Sequence, residues 1–431
     1  MPIPESDTFE LVSIYRQLSM KNPIIIISLL LIGFIAVIVE WNKQGDFYIF
    51  LNAGKLINQD RDIYAFNELS KFKYYYSPLF ATMMSWFSCC SYPLVMAGWK
   101  LLNMFFLYRI VYLIFCKYLN LGTFSEKRKT WFYFAFFGSN LFLIFTNFQG
   151  LQLSVLIIYA VLEGVFIIRF TKYGWLGALL IALAINIKIM PIVIIPYLLF
   201  RAEYRAFTYV LLGVLFFLFV PALFIGIDYN CFLLGQWWKS INPANTEHVL
   251  DLNERGLHGI STLIATLFSG EMGGEGNLQL KRNIAFLSIE SINLIINICR
   301  LIIIASTLLV FRWTPFQKEH SRLKIFAELA ILLLVTPLIF PHQQSYGFLL
   351  ILPAVAYCWY KLFENNRLRF RNLDFVLLCL SLFVISLPLL FGFARELFWH
   401  FKTLTYGVLL LWVVFLRIYL KEYRDTKNTL Y

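Results

Sequence analysis

Charged residues are scarce in this sequence, since Asp, Glu, Lys and Arg make up only 14% of the 431 residues. A soluble domain carries about 25% charged residues, so an ordinary water-soluble protein is excluded. Hydrophobic residues make up 60%, and many apolar runs approach the ~20 residues that cross ~30 Å of hydrocarbon. We therefore predict an all-α, polytopic helical membrane protein.

The sequence also lacks the motifs of several large enzyme classes. It has no phosphate-binding G-x-x-x-x-G-K-[ST] loop, no zinc-binding H-E-x-x-H and no G-x-S-x-G nucleophile turn. ATP-driven transport, zinc proteolysis and serine hydrolysis are therefore unsupported. The seven cysteines show no paired spacing, and only Cys231 is expected outside the apolar runs. We expect no disulfide framework, no metal site and no cofactor.

Basic residues exceed acidic ones, which gives a formal net charge of +12. More than half of the Lys and Arg residues lie in short segments that alternate with apolar runs on one side of the predicted topology. This asymmetry is typical of the cytoplasmic loops of membrane proteins. The basic balance therefore indicates orientation in the membrane, and we expect no nucleic-acid partner.

The apolar runs and the basic segments together predict a single domain, residues 1–431, with about twelve crossings and both termini in the cytoplasm. The block 76–116 fits only one net crossing, so one of its two pieces is predicted to be re-entrant or interfacial. Basic residues flank 174–200 on both sides, which predicts two short helices that meet near Lys188. The other crossings are predicted at 23–40, 131–148, 152–170, 207–227, 284–311, 324–341, 345–363, 373–392 and 403–420.

Polar residues collect in the predicted outer segments, 41–75, 147–152, 228–283 and 342–345. The first begins with Asp46, and apolar residues recur at helical spacing after it. This pattern predicts an amphipathic helix that lies in the membrane interface with its apolar face down. Asp46 is then either an N-cap of this helix or a general base at the membrane surface.

Lys188 lies inside a 27-residue apolar stretch, where a lysine is costly unless it is paired or faces a cavity. It either extends to the membrane edge or binds a phosphate or carboxylate. His342 lies in a Pro-broken turn between two spans, and such turns usually line a cavity. The turn "NFQGLQ" offers the amides of Asn147, Gln149 and Gln152 to sugar hydroxyls, or is a plain polar turn.

The two longer outer segments hold further candidates. Asp62 and Glu68 follow Asp46 in the first outer segment and are interpreted as solvated carboxylates. Trp237 and Trp238 begin the long segment, whose apolar stretch 260–268 is predicted to touch the membrane. The two indole rings suit either sugar stacking or anchoring at the membrane interface.

Taken in order, these pieces resemble the GT-C superfamily of membrane glycosyltransferases, and most closely glycosyltransferase family 87. Its members are polyprenol-phosphate-mannose-dependent mannosyltransferase-like enzymes. The resemblance is carried by Asp46, by the stretch from Ala53 to Tyr64, by "Y-S-P-L" beginning at Tyr76 and by "K-I-M-P" beginning at Lys188. It covers roughly residues 40–360. The chain departs from the family pattern at "QGLQLS" and at "TPLIFPH", which keeps His342.

The resemblance implies a hexosyltransferase at the outer face of the plasma or inner membrane, with mannose, the family's usual donor sugar, as the sugar that it transfers. The donor would be a polyprenyl-phosphate sugar, and the acceptor a lipid or glycan. Asp46 would be the catalytic base, and Lys188 would contact the carrier phosphate. Substrate binding would also involve His342, Gln149, Gln152, Tyr64 and Tyr76. With no second carboxylate clearly placed, direct displacement with inversion is expected.

A transporter or flippase of lipid-linked glycans is the main alternative, because it would share the spans, Lys188 and the aromatic loops. Such proteins often consist of two similar halves, and the outer segments of this chain differ greatly in length. A purely structural scaffold would leave Lys188 inside an apolar run unexplained.

The charge pattern yields a first prediction about orientation. In a Cys-free variant, a single cysteine in place of Asp60 should react with a membrane-impermeant thiol reagent in intact cells, because 41–75 is predicted outside. A cysteine at position 127 should react only after permeabilisation. The reverse pattern at the two positions would contradict the predicted topology.

Overall fold

The computed structural model describes residues 46–65, 74–242, 256–270, 278–312 and 314–428. Almost all regular structure in these residues is helical, which confirms the predicted all-α fold. The predicted first span, 23–40, lies outside the described residues.

The first half of the described chain forms nine helices, which we number in chain order. A 3-10 turn, Leu121–Thr123, precedes the fourth, and another, Met190–Val193, separates the sixth from the seventh. The helices are α1 (Phe47–Ile57), α2 (Pro78–Ser85), α3 (Tyr92–Tyr112, continued as a π-helix Leu113–Tyr118), α4 (Glu126–Gln149), α5 (Ser154–Phe170), α6 (Gly174–Ile187), α7 (Ile194–Phe200), α8 (Tyr204–Phe219) and α9 (Ala222–Ile225).

The second half contains eight helices and two short strands. The strands β1 and β2 pair antiparallel, with His258 opposite Gln343. The 3-10 segments Ser345–Ile351 and Gly392–Ala394 precede α14 and α16. In chain order the elements are α10 (Ile227–Ile241), β1 (Leu257–His258), α11 (Ile260–Phe268), α12 (Ile289–Phe311), α13 (Arg322–Ile339), β2 (Gln343–Gln344), α14 (Leu352–Glu364), α15 (Leu373–Leu390), α16 (Arg395–His400) and α17 (Thr403–Asn428).

Seven helical segments of the described chain are long and apolar enough to cross a membrane. Two further predicted crossings, α5 and α13, are not among these seven. Helix α5 has only 17 residues, and α13 has 18 residues but contains the charged side chains of Arg322, Lys324 and Glu328. The seven segments are Tyr92–Tyr118, Glu126–Gln149, Tyr204–Ile225, Ile289–Phe311, Ser345–Glu364, Leu373–Leu390 and Thr403–Arg424.

The uncertain block 76–116 consists of one short helix and one long one. The eight residues of α2 span roughly 12 Å, which is less than half the thickness of the hydrocarbon. Ser77 caps α2, because its side chain accepts from the backbone N–H of Phe80 at 3.3 Å, and Pro78 suits the first helical position. Only α3 in this block is long enough to cross.

The stretch 174–200 breaks at the expected residue. Lys188 follows α6 in an extended conformation (φ −146°, ψ 122°), and the 3-10 turn and α7 come after it. Arg169, before α6, forms an ion pair with Glu203, which follows α7. The chain therefore returns to the end of the bundle that it left, and Lys188 lies near the opposite end, which we call the site end.

The amphipathic pattern after Asp46 is correct, but its predicted surroundings are wrong. The apolar face of α1, including Phe47, Phe50 and Ile57, is buried inside the protein, so it does not lie on the lipid. Gly54 allows this packing, because a Cβ there would lie 2.6 Å from the backbone of Met84 in α2. Residues of α2 and of the turn after α4, including Phe80 and Leu151, pack against this apolar face.

The long segment 228–283 also contains more regular structure than a loop. Helix α10 occupies its beginning, with Leu233 and Trp237 buried at helical spacing. In the apolar stretch 260–268, Ile260, Leu263 and Ala265 are buried in the protein, and Ala265 packs with α12. The prediction that this stretch touches the membrane is therefore wrong for its apolar face, because α12 covers it.

At the end opposite the site, a buried ion pair joins three helices. The Arg201 guanidinium, after α7, pairs with Glu328 of α13, and its Nε lies 3.0 Å from a carboxylate oxygen. Arg201 also donates to the backbone oxygen of Phe311 at the end of α12, and Tyr197 donates to Glu328. Both charged side chains are at most 3% exposed. The pair is fully hydrogen-bonded, as a buried ion pair must be.

We predict that Arg201→Met destabilises the fold strongly, because it leaves the Glu328 carboxylate buried without its cation. Breaking such a pair typically costs ~3–5 kcal/mol. The matched control is Lys129→Met, which removes a surface pair with Glu126 that is worth at most ~1 kcal/mol. Thermal unfolding in detergent should show a much larger loss of Tm for Arg201→Met. Equal losses in the two variants would contradict the structural role of the buried pair.

Candidate functional site

Asp46 stands directly before α1, and its backbone oxygen accepts the first helical hydrogen bond, from Ile49, at 2.9 Å. Its side chain caps no backbone N–H of α1. Instead, the carboxylate accepts a hydrogen bond from the side-chain amide of Gln152. Of the two readings of Asp46, the side-chain N-cap therefore does not match the structure.

Gln152 is held by the tight turn that follows α4. Leu151 adopts a positive φ of 52°, and its carbonyl accepts from the indole of Trp99 at 2.9 Å. The Gln152 side chain is buried, with its nitrogen toward Asp46 and its oxygen 3.5 Å from the hydroxyl of Tyr76. The polar turn "NFQGLQ" thus supplies one amide that orients the carboxylate.

Lys188 reaches the same place from the break between α6 and α7. Its ammonium lies 5.4 Å from the ring centre of Tyr76 and 5.3 Å from that of Tyr346. Two aromatic faces attract a cation and partly replace its hydration. Burial raises the pKa of Asp46, and the positive charge of Lys188 is one of the two effects that oppose this increase. A carboxylate and an ammonium therefore lie near each other at the site end, and we call these two groups, with the side chains around them, the reaction pocket.

Two tyrosines complete the wall between them. The hydroxyl of Tyr64 donates to the backbone oxygen of Tyr76 at 2.8 Å, which fixes the chain before α2. Burial, and then the charge of Asp46, raise the pKa of Tyr76. The Tyr76 hydroxyl therefore stays protonated and acts as a donor.

Tyr346 belongs to the site although the sequence interpretation missed it. Its backbone oxygen accepts from Asn147 at 3.2 Å and from Ser154 at 3.1 Å, so it joins the 3-10 segment to α4 and α5. The available signal was its position four residues after His342 in the Pro-broken turn. Nothing in the local pattern indicates that its ring faces Lys188, because that contact depends on packing between distant segments.

His342 lies beside the pocket. Its ring packs against that of Tyr75, with ring centres 4.5 Å apart, and its φ is 55°. This left-handed backbone is costly for a residue with a side chain and must be held by its surroundings. The β1–β2 pairing begins at the next residue, Gln343. Gly259, directly after β1, approaches the chain before His342, since a Cβ there would lie 3.2 Å from the backbone oxygen of Pro337.

Other candidates from the sequence lie outside this cluster. Gln149 ends α4 without a hydrogen bond to the cluster within the described chain. Asp62 accepts from the backbone N–H of Tyr64 at 2.9 Å, which is a local turn contact. Trp237 is buried and donates to the oxygen of Tyr75, whereas Trp238 is exposed. Glu68 lies outside the described residues.

The surroundings of Asp46 make its carboxylate bind a proton more readily than an exposed aspartate does. Burial raises the pKa of Asp46 above its ordinary value, while the hydrogen bond from Gln152 and the charge of Lys188 oppose the increase. A carboxylate with a raised pKa binds a proton more readily and is a better general base near pH 7. Within the described residues, no group of three or more His, Cys, Asp or Glu side chains forms a metal site. All seven cysteines are free.

Residues 74–341 match the family model of glycosyltransferase family 87, and this range is more than half of the chain. The chain belongs to glycosyltransferase family 87. It is a membrane glycosyltransferase, and it therefore acts on a sugar donor and an acceptor. No curated protein and no solved structure matches the chain. The matched range of this family 87 member includes Tyr76, Gln152 and Lys188. Asp46 precedes the matched range, and His342 is the first residue after it.

The contact between Gln152 and Asp46 predicts a shift in pH dependence. The amide lowers the pKa of the carboxyl, so Gln152→Leu should raise it and move the acid limb of kcat/KM to higher pH. Gln149→Leu removes an amide of the same turn that does not touch Asp46, and it should leave the acid limb in place. Identical acid limbs for wild type and Gln152→Leu would show that Asp46 does not control this limb.

Proposed function

We propose that this family 87 enzyme transfers a hexosyl group, with mannosyl as the first candidate, from a polyprenyl-phosphate donor to a lipid or glycan acceptor. The reaction would take place at the outer face of the plasma or inner membrane, with both termini in the cytoplasm. The observation that carries the proposal is that a hydrogen-bonded carboxylate, Asp46, and a cation, Lys188, lie close enough to interact electrostatically.

The two charges suit the two ends of a glycosyl transfer. The acceptor hydroxyl needs a base as it attacks, and the carrier phosphate gains negative charge as it leaves. Asp46 has one carboxylate oxygen engaged by Gln152, which leaves the other for the acceptor. Lys188 is held by aromatic faces, so its N–H donors remain for phosphate oxygens.

In the proposed reaction, the acceptor oxygen attacks the anomeric carbon while its proton passes to Asp46. The bond between this carbon and the phosphate oxygen breaks, and its electron pair leaves with the polyprenyl phosphate. Lys188 stabilises that charge, and the hydroxyl of Tyr76 donates a further hydrogen bond at the pocket wall. One displacement at the anomeric carbon inverts its configuration.

The assignment of roles predicts different kinetic effects for two variants. Asp46→Asn keeps the shape of the side chain but accepts no proton, so kcat should fall by at least ~10²-fold with donor binding retained. Lys188→Met should mainly weaken donor binding, since a lost charge-assisted contact costs ~1.5–3 kcal/mol. The measurement is transfer from a polyprenyl-phosphate sugar in proteoliposomes, with donor KM and kcat determined separately.

The matched control is Asp62→Asn, because its amide oxygen can still accept from the backbone of Tyr64. It should keep normal turnover. Near-normal turnover of Asp46→Asn would end the proposed role of this residue, and Asp62 and Glu68 would become the candidates. Movement of intact lipid-linked sugar without new glycosidic bonds would instead indicate a flippase.

A further inference from the structure

A second group of basic side chains is buried outside the pocket described above. Arg282, His258, His400 and Lys402 are each at most 6% exposed. We call these four residues the Arg282 cluster. They come from the segment before α12, from β1 and from the end of α16 and the turn after it.

Electrostatic contacts join the members of the cluster. The charges of Arg282 and Lys402 both act on His400, and Lys402 also acts on His258. Burial is the main cause that lowers the pKa of each histidine, and the neighbouring cations add to it. Burial and the neighbouring cations therefore both disfavour a positive charge on these two histidines.

Several buried nitrogen atoms of the cluster have no hydrogen-bond partner in the described chain. None of the three guanidinium nitrogens of Arg282 has a hydrogen-bond partner in the described chain, and neither ring nitrogen of His258 has one. His400 donates through Nε2 to the oxygen of Leu280 at 2.9 Å, and its Nδ1 is without a partner. Buried polar groups of native proteins are nearly always paired, and an unpaired buried charge is especially costly.

The surroundings of Arg282 indicate a lipid as the source of the anion. On both sides of the buried arginine, Leu280, Ile284 and Phe286 expose large apolar side chains, at 46%, 73% and 71%. Helix α12, one of the candidate spans, begins directly after this segment. An apolar surface next to a buried guanidinium matches a molecule with an apolar chain and a phosphate group.

We propose that the Arg282 cluster binds the phosphate group of a membrane lipid, at a site separate from the Asp46 and Lys188 pocket. Arg282 would bind phosphate oxygens through its planar fork, and the histidines would add donors once protonated. The link to the reaction pocket is structural, since His258 pairs in β1–β2 directly opposite Gln343. The inference does not depend on the proposed role of Lys188.

Calorimetric titration of the purified full-length protein with farnesyl phosphate tests the proposal through stoichiometry. If the carrier phosphate also binds at Lys188, wild type should bind two equivalents, while Arg282→Met and Lys188→Met should each bind one. Lys281→Gln removes an exposed neighbouring charge and should keep both. Full wild-type stoichiometry in Arg282→Met would overturn the second site, whereas full stoichiometry in Lys188→Met would overturn only the proposed phosphate contact of the reaction pocket.

Two further measurements separate a ligand site from a structural role and a lipid from free phosphate. Without ligand, Arg282→Met should have a higher Tm than wild type, because it removes an unpaired buried charge. A lower Tm would mean that Arg282 has a structural partner, and the proposal would fail. At this site, measured in the Lys188→Met background, inorganic phosphate should bind at least about tenfold more weakly than farnesyl phosphate. Equal affinities would overturn the assignment to a lipid.

Discussion

The hydrogen bond from Gln152 to Asp46 is the contact on which the arrangement of the site end depends. It connects the start of α1 to the turn after α4, two segments that are far apart in the sequence. It also keeps the carboxylate near Lys188 while Gln152, and not the lysine, makes the direct contact. A directly paired ammonium would neutralise the carboxylate and occupy it. The neutral amide orients the carboxylate without neutralising its charge.

Burial also sets the electrostatic surroundings of Asp46. The smaller hydrophobic cluster, which includes Phe50, Tyr76, Leu151 and Ile187, surrounds the carboxylate and raises the pKa of Asp46. Rigid aromatic and aliphatic packing thus sets the position of the charges, and the remote ion pair of Arg201 with Glu328 fastens the opposite end of the bundle. In this membrane glycosyltransferase the helices form the scaffold, and the breaks between them supply the polar groups of the site end.

The helices were largely predictable because apolar runs and basic flanks are local features. The break at Lys188 followed from the same logic, since a lysine and a proline within an apolar stretch cannot continue an ordinary span. The burial of α1 by protein was not predictable, because an amphipathic face packs equally well on lipid or on another helix. The place of Tyr346 beside Lys188, and the collection of Arg282 with His400, depend on contacts between distant segments that periodicity does not encode.

The central claim is that Asp46 takes the proton of the acceptor hydroxyl while Lys188 stabilises the carrier phosphate that leaves the same anomeric carbon. A density map of the Asp46→Asn variant with a polyprenyl-phosphate sugar bound tests this most directly. The account predicts the phosphate at the Lys188 ammonium and the anomeric carbon between it and the side chain at position 46. A donor whose phosphate lies at Arg282, with its sugar away from position 46, would contradict the account.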